Sequence, residues 1–318
     1  MFNTNFNHFL QQFDYHWLRL FLEFISSLGS VPIILTILLG IAFGLHFKKG
    51  IVLINIVAWT AIFTFVVKQQ VDFPRPIDVD TTLYSDDYSK INNQAKEKLP
   101  NTFFGTFSDE VLDLTRNDLE QNYGFPSGHT AIQIALWMGM FFIFRKRWIA
   151  GLGIVIILLT ILSRTYLAHH FLGDTIGGFV LGVITLSLLI LLVKKSRFLT
   201  SPIADFKTLS ILWLPFLTIP FAEFLPVRLV GSLLGMNLAT LFIVLQGNTL
   251  LFSPNTEKRI ITAVGMLAFI LLGFYFSTVV HFSNNPFLKL LVNMSLYFII
   301  VRGSILIAKR INLVKYKL

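Results

Sequence analysis

The sequence predicts an all-α protein, a polytopic transmembrane helix bundle of about nine spans preceded by an N-terminal interfacial helix. Three observations predict it. Of the 318 residues, 54% are hydrophobic and only 14% charged, where an ordinary soluble domain carries about 25% charged residues. The mean hydropathy is +0.70, and apolar runs near the length of ~20 residues that crosses a hydrocarbon core recur along the chain. Little is left for a soluble domain. With no cysteine in the chain, disulfides, thiolate metal sites and a cysteine nucleophile are excluded. The net charge of +9 would point to nucleic acid in a soluble protein. In a membrane protein it reflects basic cytoplasmic loops, so no nucleic-acid partner is expected.

Residues 1–17 hold no Lys or Arg and no small-residue cleavage site, and do not read as a secretory signal peptide. Residues 17–27 carry Arg19 and Glu23 at i,i+4 among bulky apolar side chains. That is the pattern of an interfacial amphipathic helix, with a short tenth span as the alternative. Nine apolar stretches follow, at 31–47, 51–67, 129–144, 148–167, 175–193, 209–224, 229–246, 260–280 and 287–307. If these spans simply alternate, fifteen cations fall on one face: Lys48 and Lys49, 145–147, Lys194, Lys195, Arg197, Lys207, Lys258, Arg259, Lys309, Arg310, Lys315 and Lys317. The positive-inside bias makes that face cytoplasmic.

One long polar segment, 77–122, lies on the other side. It holds ten acids, Asp78, Asp80, Asp86, Asp87, Glu97, Asp109, Glu110, Asp113, Asp118 and Glu120, against Lys90, Lys96, Lys98 and Arg116. A solvated extramembrane loop is the expectation for every one of these acids, and a loop of this length can also serve as a lid. Ser108 followed by Asp109 and Glu110 marks a helix start, with Val111, Leu112 and Leu114 available to pack. Domain boundaries are expected at 1–29 for the interfacial helix, 30–193 for a membrane core that includes the loop, and 194–318 for a four-span extension.

Ionisable residues at span ends are costly, so those that recur on one side are site candidates. Lys68 ends the second span, and Arg75 follows seven residues later between Pro74 and Pro76. The prolines stiffen the turn and would aim the guanidinium back toward Lys68, which suits an anion. Such cations also serve as snorkelling anchors. Pro126-Ser127-Gly128-His129 immediately precedes a span. The unpaired amides and positive dipole end of a helix start favour a phosphate there, although the same residues could simply cap a helix. Ser163-Arg164 is followed by His170 and Asp174. If that chain is helical, His170 and Asp174 share a face, so the carboxylate can hold the imidazole in one tautomer. Arg164 adds a planar fork for phosphate oxygens. On the same helical assumption His169 points about 100° away and is an interfacial histidine without a catalytic role.

Topology places all three clusters on one face. Together, Lys68 to Pro76, Pro126 to His129 and Ser163 to Asp174 resemble the signature of the type 2 phosphatidic acid phosphatase superfamily, with no departure at any signature position. The resemblance covers roughly residues 30–193. It implies that His170 attacks phosphorus to give a phosphohistidine, that Asp174 orients it, and that His129 protonates the leaving alkoxide. It further implies that Lys68, Arg75, Arg164, Ser127 and the Gly128 backbone hold the phosphate oxygens, with no metal and no cofactor. The substrate implied is a phosphorylated lipid, which can keep its tail among membrane lipids. The location implied is a bacterial inner membrane, with the active site facing the periplasm or exterior. Tyr123-Gly124-Phe125 is similar to the sphingosine-phosphate phosphatase-like branch.

Asp78-Val79-Asp80-Thr81-Thr82 matches the Asp-x-Asp-x-Thr pattern of haloacid dehalogenase-like phosphatases. That chemistry needs a buried strand in an α/β domain, which the preceding Pro-rich turn and the short loop exclude. The rival class is a non-catalytic phospholipid-binding or transporting membrane protein. The His129, His170 and Asp174 set disfavours it, because binding alone needs only the cations. Among the C-terminal spans, Glu223, Arg228 and His281 lie near the active face and Arg302 near the cytoplasmic one, where packing or anchoring accounts for them.

Overall fold

The computed structural model describes residues 1–85, 93–116, 123–201, 205–246, 249–253, 255–279 and 284–317. Asp86, Asp87, Lys90, Asp118, Glu120 and His281 lie outside the described residues. The chain is an all-α bundle. The helices are α1 (Asn5–Gln11), α2 (His16–Ser27), α3 (Val31–Gly40), α4 (Phe47–Val71), α5 (Pro76–Val79), α6 (Asp109–Arg116), α7 (Gly128–Phe144) and α8 (Arg147–Tyr166). They continue with α9 (Leu172–Ser196), α10 (Ser210–Trp213), α11 (Val227–Leu245), α12 (Thr256–Val279) and α13 (Pro286–Arg310). One antiparallel ribbon, β1 (Thr249–Phe252) with β2 (Val314–Lys317), is the strand pairing among the described residues.

Among the described residues, six helices are long and apolar enough to cross a membrane, or seven if α2 and Val31–Leu45 make one broken span. The polytopic reading therefore holds, but three of the nine expected spans are not long straight helices. The first, at 31–47, ends in a π-helical turn, Ile41–Leu45. The third is α7, whose 17 residues reach about 25 Å at 1.5 Å per residue. The sixth is mostly a 3₁₀ helix, Leu214–Phe224, that breaks at Phe221. Pro215 and Pro220 supply no amide donor there, which disfavours a regular α-helix.

Two compact units make up the chain. The first comprises Met1–Ser30 and Phe63–Leu186. Within it, α8 buries a helical stripe of Ile149, Gly153, Ile157, Thr160 and Arg164, while Leu152, Val155, Leu158 and Leu162 remain exposed. A helix that is apolar on its outward face as well as its inward one belongs in lipid, as expected of an integral membrane protein. Close approach is made through glycine. A β-carbon at Gly153 would come within 2.6 Å of the Trp137 Cβ on α7, and one at Gly178 on α9 within 2.3 Å of the Ser127 carbonyl oxygen.

The N-terminal segment differs from the expected single interfacial helix. Both α1 and α2 pack on α8, and Arg19 and Glu23 do not pair with each other. Arg19 forms an ion pair with Asp14 and lies 4.3 Å from the Tyr84 ring centroid. Glu23 accepts a hydrogen bond from the Tyr84 hydroxyl at 2.8 Å.

The extramembrane segment also departs from a solvated loop. Val79, Ala95, Leu99, Phe107, Val111 and Phe171 form a buried cluster, into which α6 inserts Val111 from the helix start predicted at Ser108. Asp78 and Asp80 are buried with it. Asp78 accepts the Arg75 amide at 2.7 Å. Asp80 accepts from Lys96 at 2.8 Å and from Thr82, and lies 2.9 Å from His8 Nε2. A carboxylate can leave water when several donors and cations replace its hydration.

The second unit comprises Val31–Ile62 and Ser187–Leu318. There α11 and α13 meet through Gly231 and Gly235, whose β-carbons would collide with Asn293 and the Met294 carbonyl. Asn55 and Asn237 are buried and exchange amide hydrogen bonds at 2.9 and 2.8 Å, satisfying polar groups that a membrane core would otherwise penalise. Arg302 lies 6.0 Å from the Phe242 ring centroid.

Candidate active site

The site lies wholly in the first unit, and each of its segments is tied down by backbone contacts. Lys68, in the last turn of α4, donates through Nζ to the carbonyls of Tyr123 and Gly124, the latter at 3.2 Å. Gly124 N–H in turn donates to the Phe73 carbonyl at 2.7 Å. No side chain fits at Gly124, because a β-carbon would lie 2.6 Å from the Pro74 oxygen and 3.0 Å from Asp174 Oδ2. Gly124 thus lets the Arg75 turn approach both the Pro-Ser-Gly-His segment and Asp174. Arg75 sits at the N-cap of α5 in an extended conformation, between its two prolines.

Ser127 sits at the N-cap position of α7 without a side-chain capping bond, and its amide donates to the Asp174 carbonyl at 2.8 Å. Its hydroxyl accepts from Thr130 Oγ1 at 3.1 Å. The Ser127 amide is therefore committed, and the helix-start amides that an anion would meet begin at Gly128. His129 follows on the first turn of α7. Its ring lies against Gly29, where a β-carbon would come within 2.3 Å of Cδ2.

Ser163 and Arg164 end α8. Ser163 Oγ donates to the Leu22 carbonyl at 2.6 Å, and Arg164 Nη1 donates to Ser26 Oγ at 2.8 Å. Residues 167–170 form a tight turn rather than a helix. Ala168 adopts φ 55° there, a left-handed conformation that costs an L-residue about 1 kcal/mol or more. The His169 and His170 amides both donate to the Arg164 carbonyl. His170 Nδ1 then lies 3.4 Å from Asp174 Oδ2, and that oxygen also accepts the Phe171 amide at 2.9 Å. Asp174 Oδ1 is buried without a hydrogen-bond partner among the described residues.

The histidine–aspartate contact is present although the helical assumption behind it fails. The same failure moves His169, which is buried and acts electrostatically on His170, so it is not an interfacial histidine. Burial, then the charges of Arg164, Lys68 and Arg75, hold His170 well below the ordinary histidine range. An imidazole backed by a carboxylate and subject to the charges of Arg164, Lys68 and Arg75 is equipped to attack an anionic electrophile. Among the described residues, no group of three or more His, Asp or Glu side chains is placed to hold a metal ion.

Several contributors escape the sequence reading. Asn7 Nδ2 donates to the carbonyls of Thr165 and His170, at 2.7 and 3.2 Å. Gln11 Nε2 donates to the carbonyls of Tyr166 and Tyr84. Asn7 and Gln11 stand at i,i+4, across α1 from Phe6, Phe9 and Phe13, and that two-faced pattern is the one signal that could have revealed them.

Residues 49–198 match the model of the PAP2 superfamily. No curated protein and no solved structure matches the chain.

Proposed function

We propose that the protein is a metal-independent membrane phosphatase that hydrolyses a lipid phosphate monoester or diphosphate at the non-cytoplasmic face through a phosphohistidine. The observation that carries the reading is the placement of His170 Nδ1 against Asp174, which leaves Nε2 as the attacking atom. Its lone pair forms the N–P bond while the P–O bond to the lipid alkoxide breaks, and His129 supplies the proton that the alkoxide takes. Water then gives a proton to His129 and attacks the phosphohistidine, breaking the N–P bond, releasing phosphate and restoring both histidines. Lys68, Arg75, Arg164 and the amide of Gly128 stabilise the equatorial oxygens, where charge gathers in the transition state. Ser127 orients the helix start that presents those amides. An amphiphilic substrate suits a site at the membrane surface, since its tail stays in lipid. A bacterial inner membrane with the site toward the periplasm fits the fifteen cations on the opposite face.

The test is phosphate release from a panel of lipid phosphates by purified protein in excess EDTA, with vanadate as inhibitor. His170→Ala should lose both turnover and the trapped phosphoenzyme. His129→Ala should lose turnover with a lipid alkoxide but recover part of its rate with an aryl phosphate, whose leaving group needs no proton. A strict Mg²⁺ requirement, or a phosphoenzyme surviving in His170→Ala, would overturn the reading. Lipid binding without turnover would favour the transporting class.

A further inference from the structure

Residues outside the family segment reach the centre of the site. The Phe2 ring lies 5.2 Å from Phe73, 6.0 Å from Phe125 and 6.3 Å from Phe171, between ring centroids. Each of these partners adjoins one piece of the site: Phe73 precedes Pro74-Arg75, Phe125 precedes Pro126-Ser127, and Phe171 follows His170. Phe107 joins the same cluster at 5.5 Å. Room for the Phe2 ring is made by Gly173, where a β-carbon would come within 2.6 Å of it. Five residues on, Asn7 is fully buried, and its amide bridges the Thr165 carbonyl, in the last turn of α8, and the His170 carbonyl, at the far end of the turn that contains Ala168.

We infer that Phe2 and Asn7 are positioning residues, with Phe2 locking the three site segments to one another and Asn7 setting where the His170 backbone, and hence its imidazole, lies. This rests on the reading of His170 as nucleophile. Neither residue touches the reacting atoms. Their effect is geometric, and a displacement of about 1 Å at a reacting group can cost on the order of 10²-fold in rate. The Ala168 turn makes such restraint necessary, because a left-handed L-residue persists only where its surroundings hold it.

The experiment compares full-length Asn7→Leu and Phe2→Leu with wild type, each counted as monodisperse folded protein in detergent. Per folded molecule, kcat and the single-turnover rate of phosphoenzyme formation should fall about 10- to 100-fold. In Asn7→Leu, whose bonds reach the Thr165 and His170 carbonyls and not the Arg75 turn or the start of α7, KM and competitive inhibition by inorganic phosphate should stay within about threefold. The acid limb of the pH–rate profile should also move, because the distance from His170 to Asp174 changes. Wild-type kcat in the folded fraction, with activity lost only in proportion to lost protein, would overturn the proposal, as would failure of both variants to fold. His170→Ala in the same assay separates the two levels. If it is inactive while both strap variants turn over normally, only the positioning role falls. If it forms phosphoenzyme, the nucleophile assignment falls and the positioning role with it.

Discussion

The carbonyl oxygen of Ser127 lies so close to Gly178 that a β-carbon at residue 178 would come within 2.3 Å of it. The start of α7, which presents Gly128 and His129, is thereby seated directly on α9, whose first turn carries Asp174. Gly178→Ala must push backbone away from backbone, and overpacking of this kind costs about 1–3 kcal/mol. Phosphatase activity should fall at least about tenfold by displacement of the site, with a lower melting midpoint. Gly151→Ala on α8, where nothing lies within 4 Å, is the control. It should retain activity and gain up to about 1 kcal/mol from helix propensity.

His170 gives a signed dependence on pH. Burial and the surrounding cations lower its folded value below the ordinary 6.5, so in the interval below 6.5 the unfolded chain binds a proton that the folded site refuses. Stability should therefore fall as pH drops below about 6.5 and be insensitive to this group above it. Melting midpoints across that interval should be flatter in His170→Gln than in wild type. The acid limb of kcat/KM should lie below 6.5, and a limb at or above that value would contradict the neutral, buried imidazole.

Asp80 has the opposite sign. Burial disfavours its charge, but Lys96, Thr82 and His8 outweigh burial and hold the carboxyl well below the usual carboxylate range. The stability it contributes is present above the unfolded carboxylate value and is lost as pH falls through the lower folded one. Asp80→Asn should cost about 1.5–3 kcal/mol, the scale of hydrogen bonds to a charged group, with Lys96 and His8 both part-exposed to water and so spared full desolvation. Thermal unfolding at neutral pH measures this, and the wild-type advantage should shrink in strong acid.

Sidedness is tested by fusion. A reporter inserted at Gln94 should be exposed outside the cytoplasm, and one fused after Leu318 should be cytoplasmic. Finding both on one side would break the alternating nine-span order and relocate the fifteen cations.

The three signature clusters were legible because each is local: Lys68 to Arg75, Ser127 to His129 and His170 to Asp174 are readable as short spacings on span ends. Their supports were not, because Asn7 meets His170 across 163 residues and no periodicity encodes such a pairing. Asp80 looked like a solvated loop charge because its burial depends on partners brought from α1 and from Lys96, while Asp78 is buried against the Arg75 amide. The contact of His170 with Asp174 was expected for a helical reason and is made instead by a turn, which also buries His169. The all-α bundle followed from hydropathy alone, but apolarity cannot separate an α-helix from the 3₁₀ segment Leu214–Phe224, where Pro215 and Pro220 were the visible cue.

The bond from Asn7 to the His170 carbonyl also fixes an order in time. At translation rates of about 5–20 residues per second, extending the chain by the 163 positions from Asn7 to His170 takes roughly ten to thirty seconds. Through that interval α1 is already made and has no turn to hold. Its polar face, Asn7 and Gln11, must stay uncommitted while the spans up to α8 are inserted and joined. The turn that carries His170, when it emerges, meets a clamp already waiting for it, so the older segment closes over the newer one while the chain beyond His170 is still to be made.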